Sequence, residues 1–191
     1  TPARQAGVAL NNKPSHVQTV DAAQLDQAQS TSLAEYMNRY LSGVVVNDAQ
    51  SNPLQPDVQF RGFTASPLLG LPQGLAVYVN GVRFNETFGD TVNWDLLPEG
   101  AIDHMALHSG SNAVYGLNAI GGAISMRTKT GFSAPRQELE VSGGSWGRHT
   151  EELRSGWNDG ALGYFMDIKS FQEDGWRDFS PSDAKQGFGT L

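Results

Sequence analysis

The sequence predicts an α+β fold whose character changes along the chain. Helices and strands mix up to about residue 133, and strands alone follow to residue 191. Three observations predict this. Two capped helix signals lie near the start, at Asp21–Gln24 and Ser32–Glu35. An Asn80-Gly81 pair stands between alternating apolar runs, the strongest short hairpin signal, because a type I′ turn needs two positive φ values. Finally, Gln137–Gly143, Thr150–Trp157 and Leu162–Phe171 alternate polar with apolar or small residues, joined by short Gly, Asn and Asp turns. Such runs fit an up-and-down meander, and equally the opening of a transmembrane β-barrel, whose strands run ~9–11 residues.

Taken in order, residues 1–14 have no period and predict an extended arm. His16–Val20 is a short alternating strand. Asp21 caps a brief helix. A stronger helix follows Ser32, with Leu33, Tyr36, Met37, Tyr40 and Leu41 on one face. Gly43 stands where a helix stops. Val44–Val46 is a strand, residues 47–57 a polar loop with Pro53 and Pro56, and Val58–Phe60 a strand leading into Arg61-Gly62. A Pro- and Gly-rich loop precedes the hairpin strands Ala76–Val79 and Val82–Phe84. Residues 85–93 form a polar loop carrying Phe88, Trp94–Leu97 a single helical turn, and Ile102–Leu107 a strand.

The stretch Tyr115–Thr128, YGLNAIGGAISMRT, organises what surrounds it. Gly116, Gly121 and Gly122 read as a demand for tight geometry, since glycine serves where φ is positive or backbones approach closely. A strand from Ala123 to Thr128 follows. Gly116 and Gly121 have the spacing of a phosphate loop, but Gly122 stands where its lysine belongs.

Composition narrows the function. Thirteen basic against 20 acidic residues leave a formal charge of −7, so no basic surface for nucleic acid is expected. There is no cysteine, hence no disulfide or thiolate metal site. No apolar run approaches the ~20 residues of a membrane helix, and no signal peptide is visible. His104 and His108 would share a helix face, but on the strand expected here they stand ~13 Å apart, too far for one ion. Asp90, Asp95 and Glu99 near Trp94 read as solvated loop acids, because no nucleophile or oxyanion motif accompanies them.

The order of these motifs resembles the plug domain of TonB-dependent outer-membrane receptors, from about Pro14 to Lys129. The matching pieces are HVQTVDAAQL, the helix with LSGVVV, QFRGF, LAVYVNGVRF (with Asn80 for the usual Asp) and IDHMALHSGSNAVYGLNAIGGAISMRTK. Any one is weak; in this order, with an all-β segment directly after, they are specific. The resemblance implies a small mixed β-sheet plug with short helices over 15–133, after the 1–14 arm. Over 134–191 it implies the first antiparallel strands of a transmembrane β-barrel in a Gram-negative outer membrane. It also implies no enzymatic activity and no cofactor. The partners would be TonB, through a box upstream of Thr1, the chain's own barrel, and a scarce substrate such as an iron–siderophore, cobalamin or oligosaccharide. A barrel of roughly 22 strands needs well over ~200 residues, so the chain is expected to be part of a longer protein.

The same resemblance suggests roles for single residues. Arg61 matches an arginine that latches plug to barrel. The family's second arginine falls in a segment aligned here with Ala106, Leu107, His108, Ser109, Gly110 and Ser111, and Ser109 takes its place. Loops 48–57, 63–73 and 85–93 would face outward, with Phe63, Asn85, Glu86 and Phe88 as ligand contacts. Gly62, Gly81, Gly116, Gly121 and Gly122 would be structural. A competing expectation is a soluble periplasmic binding or signalling module with a plug-like fold and no barrel.

Overall fold

A computed structural model describes residues 16–48, 52–111 and 113–191. The expected arm, the TonB contact and part of loop 48–57 lie outside the described residues. Twelve strands and two α-helices follow one another among the described residues. Strand β1 (Val17–Asp21) leads directly into α1 (Ala22–Ala28), because Asp21 and Gln24 exchange hydrogen bonds of 3.0 Å in a capping box. Ser32 caps α2 (Leu33–Tyr40) by accepting from the Glu35 N–H, while the Glu35 carboxylate reaches back to the Thr31 N–H instead of the cap residue.

A small sheet comes next, with β2 (Val44–Asn47), β3 (Asp57–Phe60) and β4 (Phe63–Ala65) in sequence order. The start of the stretch expected to be loop 63–73 is therefore strand. Arg61 and Gly62, with φ of 51° and 86°, form a two-residue turn that returns the chain onto β3. The hairpin β5 (Leu75–Val79) and β6 (Val82–Arg83) turns at Asn80-Gly81, φ 52° and 85°. Two short 3-10 turns, Trp94–Leu96 and Glu99–Ala101, lead into β7 (Ile102–Ser109), and β8 (Gly122–Thr128) completes a five-stranded sheet. Its order is β1-β7-β8-β5-β6, with β5 and β8 parallel and the other pairs antiparallel.

Each face of that sheet has its own cover. The helices and the small sheet bury Leu33, Met37, Phe60, Ile102, Met105 and Met126 together. On the opposite face, Tyr115 and Ala119 of the glycine-rich excursion pack on Ala76 and Ala123. That excursion must run close to its neighbours. The Phe63 ring occupies the space a Cβ on Gly121 would need, and the His108 carbonyl does the same at Gly122.

Past Thr128 the chain crosses to a separate sheet of β9 (Gln137–Gly143), β10 (His149–Asn158), β11 (Gly163–Glu173) and β12 (Ser182–Thr190). It is an antiparallel meander in sequence order. Its side chains alternate strictly, as a pleated strand requires. Glu152, Arg154, Asp167 and Lys169 point toward the plug and are buried. Leu139, Val141, Leu153, Trp157, Met166 and Ile168 point away and are exposed.

Candidate functional site

The seam between the helix-bearing unit that resembles a plug and the β9–β12 sheet, called the wall below, is built from charge. Capping fixes the start of α1, and Leu25 turns into the core, so the next residue, Asp26, rotates toward the wall. Its carboxylate pairs with Lys129 at 3.2 Å, Arg136 at 2.8 Å and Arg154 at 2.9 Å. Arg154 also reaches Glu138, Glu140 and Glu152, at 3.3, 2.5 and 3.1 Å. Lys169 lies 3.6 Å from Glu152 and donates to the Thr31 carbonyl at 3.1 Å. Arg148 donates to the Thr31 hydroxyl at 3.1 Å and pairs with Glu173 at 2.6 Å. The joint between α1 and α2 is thus held by two cations of the wall.

Gly100 brings the plug backbone flat against this cluster. A Cβ there would overlap the Glu152 carboxylate and stand 2.9 Å from Asp167 Oδ2. Its neighbour Glu99 is buried, not solvated as the sequence suggested. Burial pushes the Glu99 carboxyl up to about 8. Lys169 pulls it down in part, and Glu152, Glu35 and Glu140 push it further up. Burial acts on Asp26 in the same direction, but Lys129, Arg154 and Arg136 together hold its carboxyl below the ordinary value. Asp167 is fully buried, with neither carboxylate oxygen hydrogen-bonded among the described residues.

A second feature lies where β5 and β8 begin, at the far end of the sheet from Thr128. Loops 66–74, 84–91 and 116–121 meet there. Arg83 clasps both Asp90 oxygens at 2.8 and 3.1 Å and donates to the Leu117 carbonyl at 2.7 Å. Asn118 donates to Asp90 at 2.6 Å. An open depression lined by Leu71, Gln73, Glu86, Thr87 and Asn118 results.

The residues suggested as ligand contacts fall in different environments. Phe88 is 80% exposed at the loop tip, and Glu86 is exposed beside it, accepting from Asn93 at 3.2 Å. Asn85 is buried and tied to Leu75, Val77 and Asp90 backbone groups, so it holds the loop's shape. Phe63 is half-buried under Gly121. Arg61 is exposed, with its guanidinium over the Phe60 ring at 5.2 Å, and pairs with no carboxylate of β9–β12 among the described residues. His104 is exposed and contacts Asp103, whereas His108 is buried against Tyr115. Among the described residues no group of three or more His, Asp or Glu side chains is placed to hold a metal ion.

Sequence reasoning missed the seam's own residues, Asp26, Lys129, Arg136 and Arg154. The signal was present: Glu138 and Glu140, then Glu152 and Arg154, recur at period two along strands whose other face is apolar.

Comparison with known proteins agrees with this architecture. The ferric yersiniabactin uptake receptor of Yersinia pestis superposes with a TM-score of 0.65 at 16% identity, over 95% of this chain and 29% of that one. A copper transporter, OprC, gives 0.65 at 16% identity, over 91% and 27%. Among curated sequences, the vitamin B12 transporter BtuB of Photobacterium profundum is 28% identical over 139 residues, 72% of this chain. The chain spans 22% of that relative's length. The family profile described as "TonB-dependent Receptor Plug Domain" matches residues 9–123. With the mixed sheet, its glycine-rich cover and the antiparallel strands that follow, this chain belongs to the TonB-dependent receptor plug family, whose members are transport receptors and not enzymes.

Proposed function

We propose that this chain is the plug and first wall strands of an outer-membrane active transporter in a Gram-negative bacterium, gating uptake of a scarce substrate. The observation that carries this reading is the inverted polarity of β9–β11, where Glu152, Arg154, Asp167 and Lys169 are buried on the inner face beside Phe165 and Phe171, and Leu139, Val141, Leu153, Trp157, Met166 and Ile168 are exposed on the outer one. A soluble sheet does the reverse; a barrel wall in lipid with a polar lumen has this pattern. The same inversion disfavours a soluble periplasmic module. Residues 15–133 act as the plug and 134–191 as the start of the wall, with the 1–14 arm leading toward TonB. Arg61 is left to latch onto wall strands other than β9–β12.

The loop cluster is the outward, substrate-facing surface, with Glu86 and Phe88 in contact and Asn85 and Phe63 supporting them. The relatives named above carry vitamin B12, a ferric siderophore and copper, so cobalamin and metal–chelate classes lead the substrate list. The test is fractionation of the full-length protein in a Gram-negative host, with substrate uptake compared with and without TonB. Outer-membrane recovery and TonB-dependent uptake are expected. Recovery in the soluble periplasmic fraction would overturn the proposal.

A further inference from the structure

We infer that the loop cluster takes an electroneutral ligand with a broad apolar face, and that it discriminates against anionic metal chelates. The inference rests on reading that cluster as the substrate-facing surface. Its first support is apolar exposure at one end of the plug. Leu69, Leu71, Phe88, Leu117 and Ile120 are 61, 38, 80, 83 and 57% exposed. Leu71 and Leu117 line the depression itself, and Leu69 packs over Gly89 beside Phe88. Scattered apolar side chains are ordinary on a surface, but a group around one concavity marks a binding surface.

The second support is charge. Among the described lining residues the one cation is Arg83, and Asp90 already neutralises it. Its Nη2 donates to both Asp90 oxygens and its Nη1 to the Leu117 carbonyl. Against that single positive charge stand Glu86 and Asp90, so the lining is net negative by one. An incoming anion meets like charge and no free guanidinium, an arrangement that selects against it. Besides the exposed Glu86 carboxylate, the lining offers neutral groups: the Thr87 hydroxyl, the Asn118 amide oxygen and apolar surface. A large, uncharged molecule with amides at its rim and an apolar face fits both properties.

The experiment uses the full-length receptor in detergent, with vitamin B12 as the electroneutral probe and a ferric tris-catecholate trianion as the charged one. The expected result is saturable binding of vitamin B12, with the trianion at least about tenfold weaker. Phe88→Ser, at an exposed tip where folding is not at stake, should weaken vitamin B12 binding about tenfold. Asp90→Asn frees Arg83 and removes a negative charge, so it should narrow the gap between the probes. Equal or tighter binding of the trianion by the unaltered receptor overturns the inference, as does failure of both probes to bind. Outer-membrane recovery of the same preparation separates these outcomes from failure of the transporter reading, which would instead leave the protein in the soluble fraction.

Discussion

Asp26→Ala should loosen the plug at α1, and the geometry sets the size of the effect. Asp26 is shared by three cations, but they do not depend on it equally. Arg154 retains Glu138, Glu140 and Glu152, and Arg136 retains Glu138 at 2.7 Å. Lys129 has Asp26 as its ion-pair partner among the described residues, and its side chain is 2% exposed. The loss therefore falls on a buried ammonium left without its ion pair, with the more distant Asp167 carboxylate still acting on it. Removing one partner of a fully buried pair costs ~3–5 kcal/mol. Because the Asp26 side chain is 25% exposed, water can replace part of what is lost. About 2 kcal/mol is the expected cost, which corresponds to roughly 30-fold faster amide exchange across α1 in the full-length receptor. Lys129→Met removes the stranded charge, so the double variant should recover most of the protection. Unchanged exchange in Asp26→Ala, or no recovery in the double variant, would refute the assignment of this pair as the clasp.

Other consequences can be checked in the same protein. Glu99 keeps its proton to about pH 8 in the folded chain but gives it up near 4.5 when unfolded. Folding then takes up a proton between those values, so its stabilising contribution is complete below about 4.5, declines as pH rises and levels off above about 8. The decline is at most ~1.4 kcal/mol per pH unit, and urea midpoints for Glu99→Gln should lose it. Gly100→Ala drives a methyl into the Glu152 carboxylate and should cost ~1–3 kcal/mol by overpacking, read as a lower Tm and weaker protection at the seam. Arg61→Ala loses only an exposed cation–π contact of ~0.5–1 kcal/mol. It should leave the fold intact while lowering transport, and full transport would count against a latch at this position.

Much of the fold was legible because local chemistry and tertiary demand agree. The Asp21 cap, the Asn80-Gly81 turn and the amphipathic face of α2 each satisfy a short-range rule. The errors came where distant partners decide. Phe63–Ala65 is a strand only because β3 lies beside it and an arginine accepts a left-handed turn. Ser182–Thr190 opens on small and polar residues and ends on Gly187-Phe188-Gly189, so it carries little strand signal of its own; its register comes from β11. Glu99 looked solvated in a run of loop acids and is buried because Gly100 lets the backbone approach the wall. The seam itself joins residues as far apart in sequence as Asp26 and Arg154. Each half shows charge at regular spacing, but neither half names the other.

The polar make-up of that seam gives removal and mutation opposite energetics. Deleting one charge strands its partner in a dry pocket. Separating the two surfaces whole strands nothing, because both members of each pair meet water together, and for a buried pair the hydration regained offsets the attraction lost. The apolar core of the plug, by contrast, has no such substitute and resists exposure at ~25 cal/mol per Å². Water thus works as a lubricant along the seam and as an adversary inside the apolar core, so parting the two surfaces costs less than exposing the core.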